Sequence, residues 1–452
     1  MEEQKQSQNE SFDQFTTEKK TDEKKRPSAF CTRAGTLLIA VALFGAGYLT
    51  SDLQYDKGLK AIKRIKNAMQ THYYEQVTDD EFYGVIFDSI NQNLLDAYSK
   101  YMTPDEYQSV LTEATGEWMG LGITFITENR AGEKQMLVYK VSGNSPAEEV
   151  GVLEGDFVIG YGMDEGSVVL TNDYESFYNF VQERGKGENF LLKVRRGENE
   201  FFLNIAKETF VENYVFYRSS NTAYAFSGDD ANDMTEKGTP LTVLPSDTAY
   251  IRLTQFNGNA GEEFKKAMNT FKSEGKTNLV LDLRGNGGGY MTILREIASY
   301  FCKGSKGKSL IAVAKYREGQ KESFYSNASY YSQYFSENSK IKVLADSSSA
   351  SASECLIGCM LDYGAISYSD ICLSERNGEA KTYGKGIMQS TYPFGLIGAV
   401  DAIKLTTAKI HWPKSENCIH GRGILPEDGT KTVAESYEKD VEVSMAIEKL
   451  FS

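Results

Sequence analysis

Five serines crowd the seven residues Ser347–Ser353, and a lone lysine between glycines follows in Gly384-Lys385-Gly386. A serine hydroxyl becomes a useful nucleophile only beside a base that can take its proton. The chain has 3 histidines, His72, His411 and His420, and none stands in a recognisable triad setting. A lysine can replace histidine in a Ser–Lys pair, provided burial depresses its pKa so that the amine is largely neutral. The bland reading of a serine before a helix is an N-cap, and local sequence does not choose among the five. Gln389 lies four residues beyond Lys385; four strand residues span about 13 Å, so spacing does not bring the two side chains together. The turn Arg284-Gly-Asn-Gly-Gly-Gly289 lacks the Gly-Lys-Ser/Thr of a phosphate loop and the spacing of a dinucleotide fingerprint. Its bare backbone N–H groups suit a developing oxyanion instead.

The elements that must carry these residues read as an α/β core. Ala249–Leu253, Leu279–Leu283 and Ile341–Ala345 are apolar runs of strand length, and Glu262–Phe271 has the period of an amphipathic helix. Continuous apolar strands alternating with helices predict a parallel sheet. The serines precede a helix over Glu354–Tyr363, in which Cys355 and Cys359 are read as core thiols. Ahead of the core, short strands at 120–126, 135–141, 158–159, 190–194 and 201–205 enclose helices starting at Pro146 and Tyr174. Opened by Gly120-Leu121-Gly122-Ile123, this stretch resembles a PDZ domain. In that fold loop N–H groups capture a peptide's terminal carboxylate and the peptide adds as a strand.

Residues 55–115 read as helices, with capping signals at Thr78–Glu81 and Thr103–Glu106. Residues 1–33 are polar and aperiodic, which predicts a disordered cytoplasmic tail. Residues 34–51 carry no charge and would span about 27 Å as a helix, which predicts an uncleaved transmembrane anchor, with a cleaved signal peptide as the rival reading. Basic residues before it place the remainder outside the cytoplasmic membrane. With 63 acidic and 49 basic residues the formal net charge is −14, which argues against nucleic acid as a partner. Six cysteines are too few for a disulfide-built scaffold.

Six motifs in one order carry a resemblance. They are Tyr250-Ile-Arg-Leu-Thr-Gln-Phe256, Leu281-Asp-Leu-Arg-Gly-Asn-Gly-Gly-Gly289, Ser349-Ala-Ser-Ala-Ser-Glu354, Asp362-Tyr-Gly364, Thr382-Tyr-Gly-Lys-Gly386 and Leu405-Thr-Thr-Ala-Lys409. With Asp96–Pro104 ahead of them and Gly421–Pro426 behind, the chain resembles the carboxy-terminal processing (tail-specific) peptidases. The resemblance implies a crotonase-like core with an inserted PDZ domain, and no cofactor or metal. It puts the nucleophile on Ser351, its base on Lys385, the lysine-orienting amide on Gln389, and the oxyanion donors on Gly288, Gly289 and Ala352. Arg284, Glu354, Asp362 and Thr382 match supporting positions, and Gly120, Leu121, Gly122 and Ile123 the peptide-binding loop.

The domains expected are 1–33 tail, 34–51 anchor, 55–115 helical region, 116–209 PDZ-like domain, 210–430 peptidase core and 431–452 C-terminal helix. The function expected is a membrane-anchored serine endopeptidase cutting extracytoplasmic proteins near their C-termini. Its partners would be protein or peptide substrates with free C-terminal tails and the membrane, with a homodimer left open. The rival reading is an inactive PDZ scaffold at the membrane. Two departures from the pattern stand out, a longer stretch at 371–381 that would add a loop beside the site and a long connection at 218–248.

Overall fold

The computed structural model describes residues 56–130, 133–220, 223–226, 234–236, 243–395, 400–436 and 439–452. Two compact units are distinguished, residues 1–88 and 89–452. Described residues of the first form helix α1 (Lys57–His72) and most of α2 (Asp79–Asn93). Thr78 and Glu81 make a reciprocal capping box at the start of α2, with bonds of 2.8 and 3.2 Å.

In the second unit, strand β1 (Lys100–Met102) precedes α3 (Pro104–Thr115), whose start is fixed by the Thr103–Glu106 capping box. A small β domain follows. Its strands are β2 (Glu117–Gly120), β3 (Ile123–Arg130), β4 (Glu133–Val141) and β5 (Phe157–Gly162), with helix α4 (Pro146–Glu149) between β4 and β5. Then come β6 (Val169–Leu170), α5 (Tyr174–Glu183), β7 (Asn189–Arg196), β8 (Asn199–Ala206) and β9 (Glu208–Val211). The main sheet runs β3-β4-β5-β7-β8, with β6 beside β5, and β3 is its edge. Phe177 and Val181 of α5 and Val138, Leu192 and Val194 of the sheet form a core of its own. The chain enters through β2 and leaves through β9, which pair antiparallel, so both connections to the larger core lie side by side.

That core is an eight-stranded sheet ordered β12-β11-β10-β13-β14-β17-β18-β21. Its antiparallel end is β10 (Val215–Arg218), β11 (Ala223–Phe226) and β12 (Met234–Glu236), so the long connection at 218–248 contributes two strands to the sheet edge. From β13 (Thr248–Leu253) the chain crosses through α6 (Ala260–Ser273) to parallel β14 (Asn278–Asp282). Next are α7 (Met291–Ala298), the hairpin β15 (Leu310–Tyr316) and β16 (Lys321–Tyr325), and α8 (Tyr331–Tyr334). Strand β17 (Ile341–Ala345), helix α9 (Ala352–Asp362) and β18 (Ile371–Ser374) continue the parallel array. Strand β19 (Ile387–Pro393) and β20 (Ala402–His411) join β1, β15 and β16 in an antiparallel sheet. The chain closes with β21 (Lys431–Val433) and α10 (Lys439–Phe451).

Both faces of the parallel strands are covered, which is why they read as unbroken apolar runs. Leu279, Leu281, Val343, Ala345 and Leu373 point to α6, α7 and α9. Tyr250, Val280, Leu344 and Cys372 point the other way and meet Val443, Ala446, Ile447 and Leu450 of α10. Each large apolar side chain buried there contributes about 1.5–3 kcal/mol, so α10 seals the second face of the sheet.

Two expectations need correction. The transmembrane helix placed at 34–51 lies outside the described residues, as does the tail at 1–33, and among the described residues no helix is long and apolar enough to cross a membrane. The fold of the described residues is therefore an α/β core with an inserted β domain and no transmembrane helix. The membrane partner and the single-pass cell-membrane location with an extracytoplasmic catalytic part are corrected with it, because lack of charge measures apolarity and not span. The stretch 371–381, expected as an added loop, begins as β18, a buried strand paired with β17 and β21. Its Ile-Cys-Leu run is core, and only a short turn closed by the Arg376–Glu379 bridge follows.

Candidate active site

The serine cluster forms the turn from β17 into α9, and its members are not equivalent. Ser349 is fully buried and donates to the Leu283 carbonyl at 2.8 Å, while buried Ser353 donates to the Asn286 carbonyl at 2.9 Å. Those two hydroxyls fasten the turn to the Arg284–Gly289 loop. Ser351 is different: it is half-buried, and its backbone has φ +56° and ψ −109°. A non-glycine residue at positive φ is strained, and such strain persists where surrounding structure enforces it. Half of a capping box is made here, the Glu354 carboxylate accepting the Ser351 N–H at 3.0 Å, while the Ser351 hydroxyl makes no cap bond.

The glycine turn sits directly beneath Ser351. At Gly288, φ is +104°, and a Cβ would lie 2.8 Å from Ser351 Cβ and 2.9 Å from Ala352 N, so only glycine fits. The turn is held by Asn286, whose amide donates to the Leu253 carbonyl at 2.8 Å and whose oxygen accepts the Gly288 N–H at 2.9 Å. That leaves the N–H groups of Gly289 and Ala352, neither of which donates to another described group. Arg284 anchors the start of the turn. It pairs with Asp282 at 2.6 Å and with Glu442 of α10. Arg376 reaches the same Glu442 at 3.0 Å and Asp346 at 3.3 Å, and Asp346 in turn accepts the Gly285 N–H at 3.0 Å.

Glu354 connects the serine turn to the lysine loop. Besides the Ser351 N–H, its carboxylate accepts the Thr382 hydroxyl at 2.6 Å, the Gly384 N–H at 2.7 Å and the Lys385 N–H at 2.9 Å. Burial raises its pKa despite those four donors. Thr382 also accepts the Ile424 N–H at 2.8 Å, which ties the loop to the segment before β21. Lys385 itself is half-buried. Burial, then the charge of Lys404, push its pKa down, against a smaller upward pull from Glu354. That is the direction a general base requires.

Other site residues stand apart. No hydrogen bond joins Lys385 Nζ to Ser351 or to Gln389 among the described residues. The ammonium lies 5.5 Å from the centroid of the Tyr98 ring, and the Gln389 amide donates to the Tyr98 carbonyl. Asp362 is at the far end of α9, where it accepts the Lys414 and Ser415 N–H groups at 2.8 and 2.9 Å. It supports the turn after β20 and does not reach the serine. Gly120 to Ile123 form the step from β2 into edge strand β3. Leu121 is buried, and at Gly122 (φ +78°) a Cβ would collide with Ser145 at 2.2 Å. Phe125 of β3 meets Tyr174 and Phe177 of α5 at ring distances of 5.9 and 5.7 Å, so strand and helix pack side by side.

Sequence reasoning missed Asn286, Asp346, Glu442 and Tyr98. Asn286 lay in view inside the glycine turn. Glu442 and Tyr98 gave no local signal, because their partners are distant in the chain.

Residues 247–428 match the model of peptidase family S41. Similar curated proteins include the "Probable CtpA-like serine protease" of Staphylococcus haemolyticus, 26% identical over 407 residues, covering 89% of this chain and 70% of that protein. Its namesake in Staphylococcus aureus strain COL is 23% identical over 423 residues, covering 92% and 75%. Among solved structures, a "Putative S41 protease" from Bacteroides fragilis matches with a TM-score of 0.51 at 14% identity, over 84% of this chain and 90% of that one, a likeness of fold.

Proposed function

We propose, from the match of residues 247–428 to peptidase family S41, that Ser351 is the nucleophile and Lys385 the general base of a serine endopeptidase that processes protein C-termini. The observation that carries the assignment is Glu354, whose carboxylate binds the backbone N–H of both residues and so fixes the serine turn against the lysine loop.

The chemistry follows in two halves. Neutral Lys385 takes the Ser351 proton as the oxygen attacks the scissile carbonyl, and the new oxyanion accepts from the N–H groups of Ala352 and Gly289. As the C–N bond breaks, the lysine ammonium returns the proton to the leaving amine. Water, deprotonated by the same lysine, then hydrolyses the acyl ester and frees Ser351. Catalytic hydrogen bonds often tighten only with substrate bound, so the open Ser351–Lys385 pair describes the unliganded site.

Tail recognition falls to the small β domain. The unpaired edge of β3 offers backbone groups to an added strand, and Gly120 to Ile123 lie where the peptide's carboxylate would end. Cleavage of a quenched fluorescent peptide tests both parts. The wild-type protein should cleave the free-acid peptide at least about tenfold faster than its C-terminal amide, since the amide leaves the carboxylate-binding N–H groups unmatched. Ser351→Ala should abolish cleavage of both. Equal rates for acid and amide would remove the tail-recognition reading, and an active Ser351→Ala would remove the nucleophile.

A further inference from the structure

Tyr98 stands outside the catalytic assignments, yet it touches two of the three residues in them. Its ring lies under the Lys385 ammonium at 5.5 Å, and its carbonyl accepts the Gln389 amide. The segment that carries it is pinned to the site sheet. Asp96 accepts the N–H groups of Tyr98 and Ser99 at 2.9 and 2.8 Å, Ser99 Oγ accepts the Thr406 N–H of β20 at 2.9 Å, and β1 then pairs with β20. On its other sides the Tyr98 ring meets Tyr383 at 6.5 Å and His420 at 6.1 Å.

We propose that Tyr98 is a positioning residue for the catalytic lysine: its ring holds the Lys385 ammonium and its carbonyl holds Gln389, which keeps the base parted from both Gln389 and Ser351 in the unliganded protein. A cation over an aromatic face is attracted by the ring's electron density, whereas a neutral amine is not. The ring therefore favours the protonated lysine, the form that cannot act as base. The charged groups facing Lys385 are Glu354 of α9, which also favours the ammonium, and Lys404 of β20, which opposes it; Tyr383 and His420 complete the surroundings of the ring. Turnover then requires the amine to leave the ring, lose its proton and reach Ser351.

The inference rests on Lys385 being the base, and the acidic limb of the kcat/KM–pH profile reads that base in the free enzyme. Replacing the ring by an aliphatic chain, Tyr98→Leu, should move the limb to lower pH by about half a unit or more. Tyr98→Phe, which keeps the ring, should leave it where the wild type has it. Should the leucine variant not fold, Tyr98→Met makes the same test. A limb unmoved in the aliphatic variants, or moved equally in Tyr98→Phe, overturns the proposal. Lys385→Ala keeps the two readings apart: if it cleaves as fast as wild type, the base assignment itself has failed. If it is inactive and the limb does not respond to Tyr98, only the role of Tyr98 falls.

Discussion

At the scale of single residues, the site depends on close approach more than on side-chain bonding. Ser351 is lifted out of its helix by a positive φ, and Gly288 fills the space beneath it with backbone alone. A Gly288→Ala substitution would place a methyl 2.8 Å from Ser351 Cβ and 2.9 Å from the Ala350 carbonyl. Either the serine or the oxyanion turn must move. We expect kcat to fall by about a hundredfold, the scale of losing one oxyanion donor, with KM little changed. Steady-state kinetics on the fluorescent peptide checks this, and an undiminished kcat would show that the turn does not serve the oxyanion. The local sequence showed five serines and no means of choosing among them. Packing makes the distinction, since Ser349 and Ser353 spend their hydroxyls on Leu283 and Asn286 carbonyls, contacts that join segments far apart in the chain.

At the scale of elements, α10 does more than cover the sheet. Its Glu442 is buried between Arg284, which begins the oxyanion turn, and Arg376, which follows β18. Burial alone would raise the Glu442 pKa, but the Arg376 hydrogen bonds and the charge of Arg284 outweigh it and hold the carboxyl at about 2. Asp282, buried beside the same Arg284, is likewise held at about 2. Both values lie below those of the unfolded chain. Their contribution is therefore complete above about pH 4.5 and is lost as pH falls toward 2. Urea midpoints should drop steeply over that window, and Glu442→Gln should flatten the drop while costing about 3 kcal/mol at neutral pH, because it leaves buried arginine charge less compensated. A variant with wild-type acid sensitivity would contradict this role. Strands β14 and β17, which lead to Arg284 and Asp346, were legible from their apolar runs, and helix beginnings from Thr78, Thr103 and Pro146. The network was not legible, because a carboxylate near the C-terminus and an arginine in a glycine turn share no period or spacing. For the same reason Ile371–Ser374 was read as loop: three apolar residues and a serine become a strand only when β17 and β21 are there to pair with them.

At the scale of the whole molecule, the proposed function divides recognition from chemistry. The small β domain leaves the core through β2 and returns through β9 beside its point of departure, and its strand β3 stands at the sheet edge. The larger core brings β17, the glycine turn after β14 and the loop before β19 to one place, with Glu354 bonded to the last of these and to Ser351. Order of motifs along the chain made this core readable in advance, since a parallel sheet fixes which loops converge. The span across a membrane, inferred from uncharged length over 34–51, has no counterpart among the described helices. The most direct test of the account is to trap the acyl-enzyme. Acid-quenching the protein during turnover of a peptide and mapping the adduct by mass spectrometry should place the acyl group on Ser351, with no adduct formed by Lys385→Ala. An acyl group on Ser347, Ser348, Ser349 or Ser353, or an unchanged adduct in the lysine variant, would contradict it.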